Sequence, residues 1–126
     1  MSVVVDASAV LAVLNGEIDA ERIEDVPVGG LISATNFSEV LSKLVDIGLD
    51  DDAAVSAFGA LMLTVVPVDA VQAKHAGLLR RQTREHGLSL GDRACLALAA
   101  SREFPAITAD RVWAKLDLGI EVRVIR

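Results

Sequence analysis

The sequence is poor in the residues that disulfide-stabilised proteins and antiparallel β-sandwiches use. Its one cysteine, Cys95, cannot form an internal disulfide bond, and its place in an apolar stretch favours a core position. Aromatic residues make up 3% of the 126 residues, whereas 52% are hydrophobic. This hydrophobic content excludes a disordered chain, and the aliphatic mixture is typical of buried parallel strands with closely packed helices.

Long hydrophobic runs are missing too. The longest, around residues 57–68, contains Thr64 and Pro67 and is shorter than the roughly 20 residues that a spanning helix needs. The N-terminus enters an apolar run without the basic segment and cleavage site of a signal peptide. We therefore expect a cytoplasmic protein with no membrane segment, formed by a single domain over residues 1–126.

Basic residues are outnumbered, with 12 Lys and Arg against 18 Asp and Glu, for a net charge of −6. Such a balance is unusual for a nucleic-acid-binding protein, which commonly presents a basic face. Acids that bind cations would account for part of the excess. The sequence also lacks Gly-x-Gly-x-x-Gly, phosphate-binding-loop and Gly-x-Ser-x-Gly motifs, so nothing indicates a nucleotide cofactor or a serine hydrolase.

Hydrophobic periodicity and turn residues predict alternating strands and helices. Strands are predicted at residues 2–5, 31–33, 63–68, 106–108 and 121–125. Helices are predicted at residues 7–15, 19–25, 36–47, 50–61, 69–86, 89–103 and 111–116. This alternation predicts an α/β fold, a three-layer α/β/α sandwich with a central parallel sheet.

Four carboxylates stand where predicted strands end or helices begin. Asp6 and Asp110 directly follow strands, and Glu39 and Asp92 lie in the first turns of helices. Strand ends and the helix starts that follow them meet at one edge of a parallel sheet, where such folds place their sites. Four oxygen ligands without histidine or thiol suit Mg²⁺ or Mn²⁺ better than zinc. The pattern indicates a metal-dependent phosphodiesterase.

Each acid also has a structural explanation. Asp6 and Asp110 could cap the helices that follow them, and Glu39 and Asp92 could each take part in a capping box. Four carboxylates at one edge would, however, repel one another strongly unless a cation lay among them. We therefore favour a metal site over four independent caps.

The segments around these acids resemble the PIN-domain ribonucleases, and among them the VapC toxins of toxin–antitoxin pairs. The matching segments are residues 5–9 (VDASA), 34–40 (ATNFSEV), 88–97 (LSLGDRACLA) and 107–113 (ITADRVW). They occur in the family's order, the last two are the most specific, and the chain has the length of a whole VapC-like protein.

The resemblance implies which residues form the site and what the protein binds. The acidic site carries over as Asp6, Glu39, Asp92 and Asp110, with Ser8 and Thr108 as supporting hydroxyl groups. A PIN-like fold, a homodimer and a cognate antitoxin protein that covers the site are implied as well. None of these three follows from composition or spacing.

The predicted chemistry is hydrolysis of RNA. One or two Mg²⁺ or Mn²⁺ ions, held most directly by Asp6 and Asp92, would bind the scissile phosphate and lower the pKa of a bound water. Glu39 and Asp110 would ligate directly or through water. Arg93 and Arg111, each beside a site acid, are the candidate phosphate-binding residues.

Two other functions stay open at this point. A phosphoacceptor receiver domain is also a small parallel α/β protein, but it needs an acidic pair after the first strand and a lysine after a later inner strand. Here Asp6 stands alone, and the segment ending at Asp110 contains no lysine. A PIN fold kept only as a non-catalytic interaction module is the other, and four intact acids argue against it.

Overall fold

The computed structural model describes residues 2–17 and 29–126, and within them the chain forms a five-stranded sheet. The strands are β1 (Val4–Val5), β2 (Leu31–Ser33), β3 (Thr64–Val66), β4 (Ala106–Thr108) and β5 (Val122–Val124). All neighbouring pairs are parallel, in the order β3-β2-β1-β4-β5. A receiver domain has the order 2-1-3-4-5, so the topology excludes that alternative.

Helices connect the strands and cover both faces of the sheet. They are α1 (Ala7–Leu14), α2 (Ala34–Asp46), α3 (Asp51–Gly59), α4 (Ala70–Leu78), α5 (Arg80–Thr83) and α6 (Leu90–Arg102), with 3₁₀ turns at Arg84–His86 and Arg111–Lys115. The helix predicted at 19–25 lies outside the described residues. No helix of the described residues is both long and apolar enough to cross a membrane.

Successive residues of β1 face two separate hydrophobic cores. Val5 packs in the core that α1, α2 and α3 close, whereas Val4 packs with α6 and the fully buried Trp113. This alternation follows from the period of two along a strand. The predicted three-layer α/β/α sandwich is therefore confirmed.

The largest error of the sequence analysis concerns the helix predicted at residues 69–86. The structure divides it into α4, α5 and a 3₁₀ turn, and Val71, predicted on its apolar face, is 75% exposed. Leu78, also predicted there, is exposed as well. Ala76 and Leu79, the other two residues predicted on that face, are buried, and Gln72 and Thr83 are buried with them in place of Val71 and Leu78. The buried residues follow the helical spacing of three and four residues, and the Thr83 hydroxyl is satisfied by the Leu79 carbonyl at 2.9 Å.

Two glycines in this region should respond oppositely to alanine. Gly87 ends the 3₁₀ turn with φ = +67°, whereas Gly77 lies inside α4, and a Cβ at either position meets nothing within 4 Å. We expect Gly87→Ala to destabilise the fold by about 1 kcal/mol and Gly77→Ala to stabilise it by about as much. Urea unfolding measures both; a loss of stability in both variants would contradict the assigned backbone.

Candidate active site

Asp6 leaves the end of β1 and caps helix α1. Its Oδ1 accepts a hydrogen bond from the backbone N–H of Ala9 at 2.8 Å, and the residue is only 2% exposed. The Ser8 hydroxyl donates to both carboxylate oxygens, at 2.8 and 2.9 Å, and the Thr108 hydroxyl donates to Oδ2 at 2.7 Å. The capping role expected for Asp6 is confirmed, and the two predicted hydroxyl residues lie against it.

The two hydroxyl groups also accept hydrogen bonds from the backbone. The N–H of Ala109 donates to Ser8 Oγ at 3.0 Å, and the N–H of Asp110 donates to Thr108 Oγ1 at 3.0 Å. Each hydroxyl therefore accepts from the backbone and donates its own proton to the Asp6 carboxylate, which can only accept when it is ionised. The start of α1 and the end of β4 are thereby joined through a single acid.

Burial has a marked effect on the ionisation of Asp6. Loss of solvent raises its pKa to about 6, although the bonds from Ala9, Thr108 and Ser8 lower it, and the negative charge of Asp92 raises it further. A carboxylate in this position is costly to ionise without a positive partner. The electrostatics therefore favour a proton or a cation at Asp6.

Glu39 projects from the second turn of α2 and is half-buried. Its Oε1 accepts a hydrogen bond from Asn36 Nδ2 at 3.0 Å. Burial raises the pKa of Glu39, and the charge of Asp92 adds to the increase. The capping box considered for Glu39 is wrong, because α2 begins at Ala34 with Ser33 as its cap.

Asp92 combines the capping and site roles. It forms the predicted capping box at the start of α6: its Oδ2 accepts from the Ser89 N–H at 2.9 Å, and its own N–H donates to Ser89 Oγ at 3.1 Å. Its charge also raises the pKa of Asp6 and of Glu39. The structure therefore brings these three acids together at the carboxyl edge of the sheet.

Cys95 lies one helical turn after Asp92 and is fully buried, as expected. Burial raises the pKa of its thiol, and the charges of Asp6, Asp92 and Glu39 each raise it further. The charges of all three acids thus act on one point of α6. The sequence pattern gave no signal for this place of Cys95 beside the acids.

Asp110 stands at the rim of the group. Its carboxylate is exposed and caps the 3₁₀ turn, with Oδ1 accepting from the Val112 N–H at 3.0 Å. The cap expected from the sequence is confirmed. Asp110 joins the network around Asp6 through its backbone N–H, not its side chain.

The oxygen atoms suit a hard divalent cation, although the described residues contain no group of three or more His, Cys, Asp or Glu side chains already gathered around a metal position. Within residues 2–17 and 29–126, Asp92 Oδ1, Glu39 Oε2 and Asp110 Oδ2 accept no hydrogen bond. At Asp6, three donated protons, of which the Ser8 proton is shared between the two oxygens, occupy three of about four lone-pair sites. Each of the four acids therefore keeps an oxygen position for Mg²⁺ or Mn²⁺.

The two candidate phosphate-binding arginines differ in how far their side chains are exposed and engaged within the protein. Arg93 Nη1 donates to the carbonyl of Ala76 in α4 at 3.0 Å, so this guanidinium is partly engaged within the protein. Arg111 is exposed, and its Nε donates to the carbonyl of Arg126 at 3.4 Å. Arg111, which follows Asp110 directly, is the better placed of the two.

Comparison with known proteins agrees with a PIN-like α/β fold. The PIN domain family model matches residues 3–118, so the chain belongs to the PIN domain family. A comparison with curated protein sequences gives no match.

Solved toxin–antitoxin proteins share the fold. A toxin–antitoxin complex from Klebsiella pneumoniae has a TM-score of 0.74 at 17% identity, covering 99% of this chain and 98% of that one. DNA-bound VapBC from Salmonella typhimurium has a TM-score of 0.77 at 17% identity, covering 100% of this chain and 99% of that one. VapC20 from Mycobacterium tuberculosis, described as a sarcin–ricin loop cleaving toxin, gives 0.68 at 21% identity, covering 92% and 97%.

The raised pKa of Asp6 predicts how stability depends on pH in metal-free buffer. Between the ordinary value of 3.8 and about 6 the folded state binds more protons than the unfolded state, so this group's contribution is greatest below the ordinary pKa and is lost as the pH rises through about 6. The full shift corresponds to roughly 3 kcal/mol. Asp6→Asn removes this titration and should gain stability over the parent between about pH 4 and pH 7.

Urea unfolding in EDTA at a series of pH values tests this expectation. Parallel pH profiles for the parent and Asp6→Asn would show that Asp6 titrates alike in the folded and unfolded states, contrary to its burial.

Proposed function

We propose that this protein is a metal-dependent endoribonuclease, the toxin component of a type II toxin–antitoxin system. The observation that carries the proposal is the grouping of Asp6, Glu39 and Asp92 at the carboxyl edge of the sheet, with the pKa of buried Asp6 raised to about 6. Membership of the PIN domain family and a fold shared with VapC toxins, one described as cleaving the sarcin–ricin loop, support it.

The acids would hold Mg²⁺ or Mn²⁺ through the oxygen positions that the hydrogen-bond network leaves open. When bound, the cation neutralises charge on the scissile phosphate and makes a water molecule more acidic. Asp6 and Asp92 would be the direct ligands, Glu39 would act directly or through water, and Asp110 would complete the rim. The donor set contains only hard oxygen atoms, as these ions prefer.

The remaining residues position these groups. Ser8 and Thr108 fix the plane of the Asp6 carboxylate by donating to its two oxygens. Exposed Arg111 would contact an RNA phosphate, with Arg93 a weaker candidate. His75 lines a cavity of about 400 Å³ with Pro105 and Glu121, which precede β4 and β5 and so lie at the opposite edge of the sheet. We therefore do not assign His75 to proton transfer.

The proposed partners follow from the structural neighbours. Several of these are toxin–antitoxin complexes, two of them bound to DNA. We infer that a cognate antitoxin protein covers the acidic edge of this chain and that the chain forms a homodimer. This protein and its antitoxin would act in the cytoplasm, where the RNA substrate is found. A small DNA-binding protein encoded by the neighbouring gene would support this assignment.

Purified protein, free of any partner, should cleave single-stranded or looped RNA with Mg²⁺ or Mn²⁺ and not in EDTA. Asp6→Asn and Asp92→Asn should each abolish cleavage, because each removes a charged ligand. A gel assay on a fluorescent RNA measures this. Cleavage that persists in EDTA would refute the mechanism, and no cleavage of any RNA would favour a non-catalytic interaction module.

Asp50→Asn is the matched control for these variants. Asp50 caps α3 as Asp6 caps α1, with Oδ1 accepting from the Ala53 N–H at 2.8 Å, but it is exposed and lies at the start of a different helix. Asn caps a helix about as well as Asp. Asp50→Asn should therefore retain full activity, and a loss equal to that of Asp6→Asn would show that removing a carboxylate charge from any helix cap lowers activity, so that the loss at Asp6 would not indicate a metal ligand.

Thermal melts should detect cation binding through its effect on stability. Mg²⁺ should raise the melting temperature of the parent because it binds only the folded state, and the increase should be much smaller in Asp6→Asn and Asp92→Asn. In metal-free buffer these variants should be at least as stable as the parent, since each relieves repulsion among carboxylates. Equal Mg²⁺ responses in the parent and both variants would show that these acids do not hold the metal.

A further inference from the structure

Asn36 is a buried polar residue of α2 that the chemistry described above does not use. It is 1% exposed, and its amide nitrogen donates two hydrogen bonds, one to Glu39 Oε1 and one to the carbonyl of Gly91, both at 3.0 Å. The second bond crosses from α2 to the first turn of α6. One side chain thus connects a site acid to the backbone immediately before another site acid, Asp92.

Gly91 completes this contact because it has no side chain. A Cβ at this position would overlap Glu39 Oε1 and lie 3.1 Å from Oε2. The carboxylate of Glu39 therefore rests directly against the backbone of α6, at a distance that any larger residue would increase. Gly91 is itself buried.

Burying Asn36 costs free energy, which argues for a role beyond packing. Asn36 Oδ1 is buried with no hydrogen-bond partner among the described residues, and an unsatisfied buried polar atom costs about 1–3 kcal/mol. An apolar residue would fill the space between α2 and α6 without that loss. What only the amide supplies is a pair of N–H donors aimed at Glu39 and at Gly91.

We propose that Asn36 is a positioning residue that holds the Glu39 carboxylate against Gly91 and thereby sets the spacing at which Glu39 and Asp92 share a divalent cation. The inference rests on the proposed function for the role of the metal. Asn36 binds no cation itself and acts through Glu39. Without it, the Glu39 side chain would accept no hydrogen bond from any residue that the structure describes, and nothing of that kind would keep it beside α6.

The test is a double-mutant cycle on Mn²⁺ affinity, measured by calorimetry without RNA. Asn36→Leu keeps the approximate size of the side chain and removes both donors; it should weaken Mn²⁺ binding about 10- to 100-fold, the usual effect of losing a group that orients a metal ligand. In a Glu39→Ala background the same substitution should change the affinity by less than about twofold, because the residue it acts through is gone.

Gly91→Ala gives a second, independent variant. Its Cβ should push Glu39 away from Asn36, so Mn²⁺ affinity should fall while the thermal melt of the metal-free protein changes little, since a flexible side chain can move. In the Glu39→Ala background Gly91→Ala should have no further effect. Near-UV circular-dichroism spectra and thermal melts in EDTA establish that each variant is folded.

Gln72→Leu is the matched control. Gln72 is also a buried amide with an unpartnered Oε1, but its side chain makes no hydrogen bond to any site acid in the part of the chain that the structure describes. Gln72→Leu should leave Mn²⁺ affinity unchanged. An equal loss in this control, or a loss from Asn36→Leu that is the same with and without Glu39, would overturn the proposal, as would a parent protein that binds no Mn²⁺.

The outcomes separate this inference from the proposed function. Coupling between Asn36 and Glu39 in a protein that cleaves no RNA would leave the positioning role standing and refute the ribonuclease assignment. RNA cleavage without that coupling would do the reverse.

Discussion

The structure depends on one buried carboxylate. Asp6 ends β1, caps α1 and, through the hydroxyls of Ser8 and Thr108, connects the start of that helix to the end of β4. Because its oxygens accept hydrogen bonds from both segments, the fold gains a fixed junction between two central strands. The same burial leaves a charge that water cannot stabilise, and Asp92 adds a second negative charge close by. The fold therefore places uncompensated negative charge where a bound cation would neutralise it.

Capping and cation binding are not competing roles in this protein. Asp6, Asp92 and Asp110 each accept a backbone N–H at the start of a helix or 3₁₀ turn. A cap holds one carboxylate oxygen close to the backbone and so fixes where the rest of the group points. Parallel strands then bring these capped starts to one edge of the sheet. Local helix chemistry thus supplies much of the preorganisation that a metal site needs, in addition to the hydrogen bonds from Ser8, Thr108 and Asn36.

The sequence was sufficient for features with a short-range signal. Apolar runs ending in acids predicted β1 and β4 with Asp6 and Asp110 after them, and the Ser89–Asp92 spacing predicted the capping box of α6. It was insufficient where distant segments meet. The contact of Asn36 with Gly91 joins residues 55 positions apart, and nothing in either segment indicates the other. The prediction of the buried face of α4 failed for a similar reason. Packing against α6, and not the hydrophobicity of α4 itself, determines which of its residues are buried.

The acidic composition and a nucleic-acid substrate can be reconciled at this edge. Proton and cation compete for the same position at Asp6, because burial penalises its charge and either ion relieves the penalty. Near neutral pH the proton has largely left, so a divalent cation would bind without displacing many protons, whereas below about pH 6 it would have to release them. With two positive charges among the acids, the edge of a chain whose net charge is −6 would become able to bind a phosphate. Charge on the whole protein is then a poor guide to its substrate, because the relevant charge is that of the occupied site.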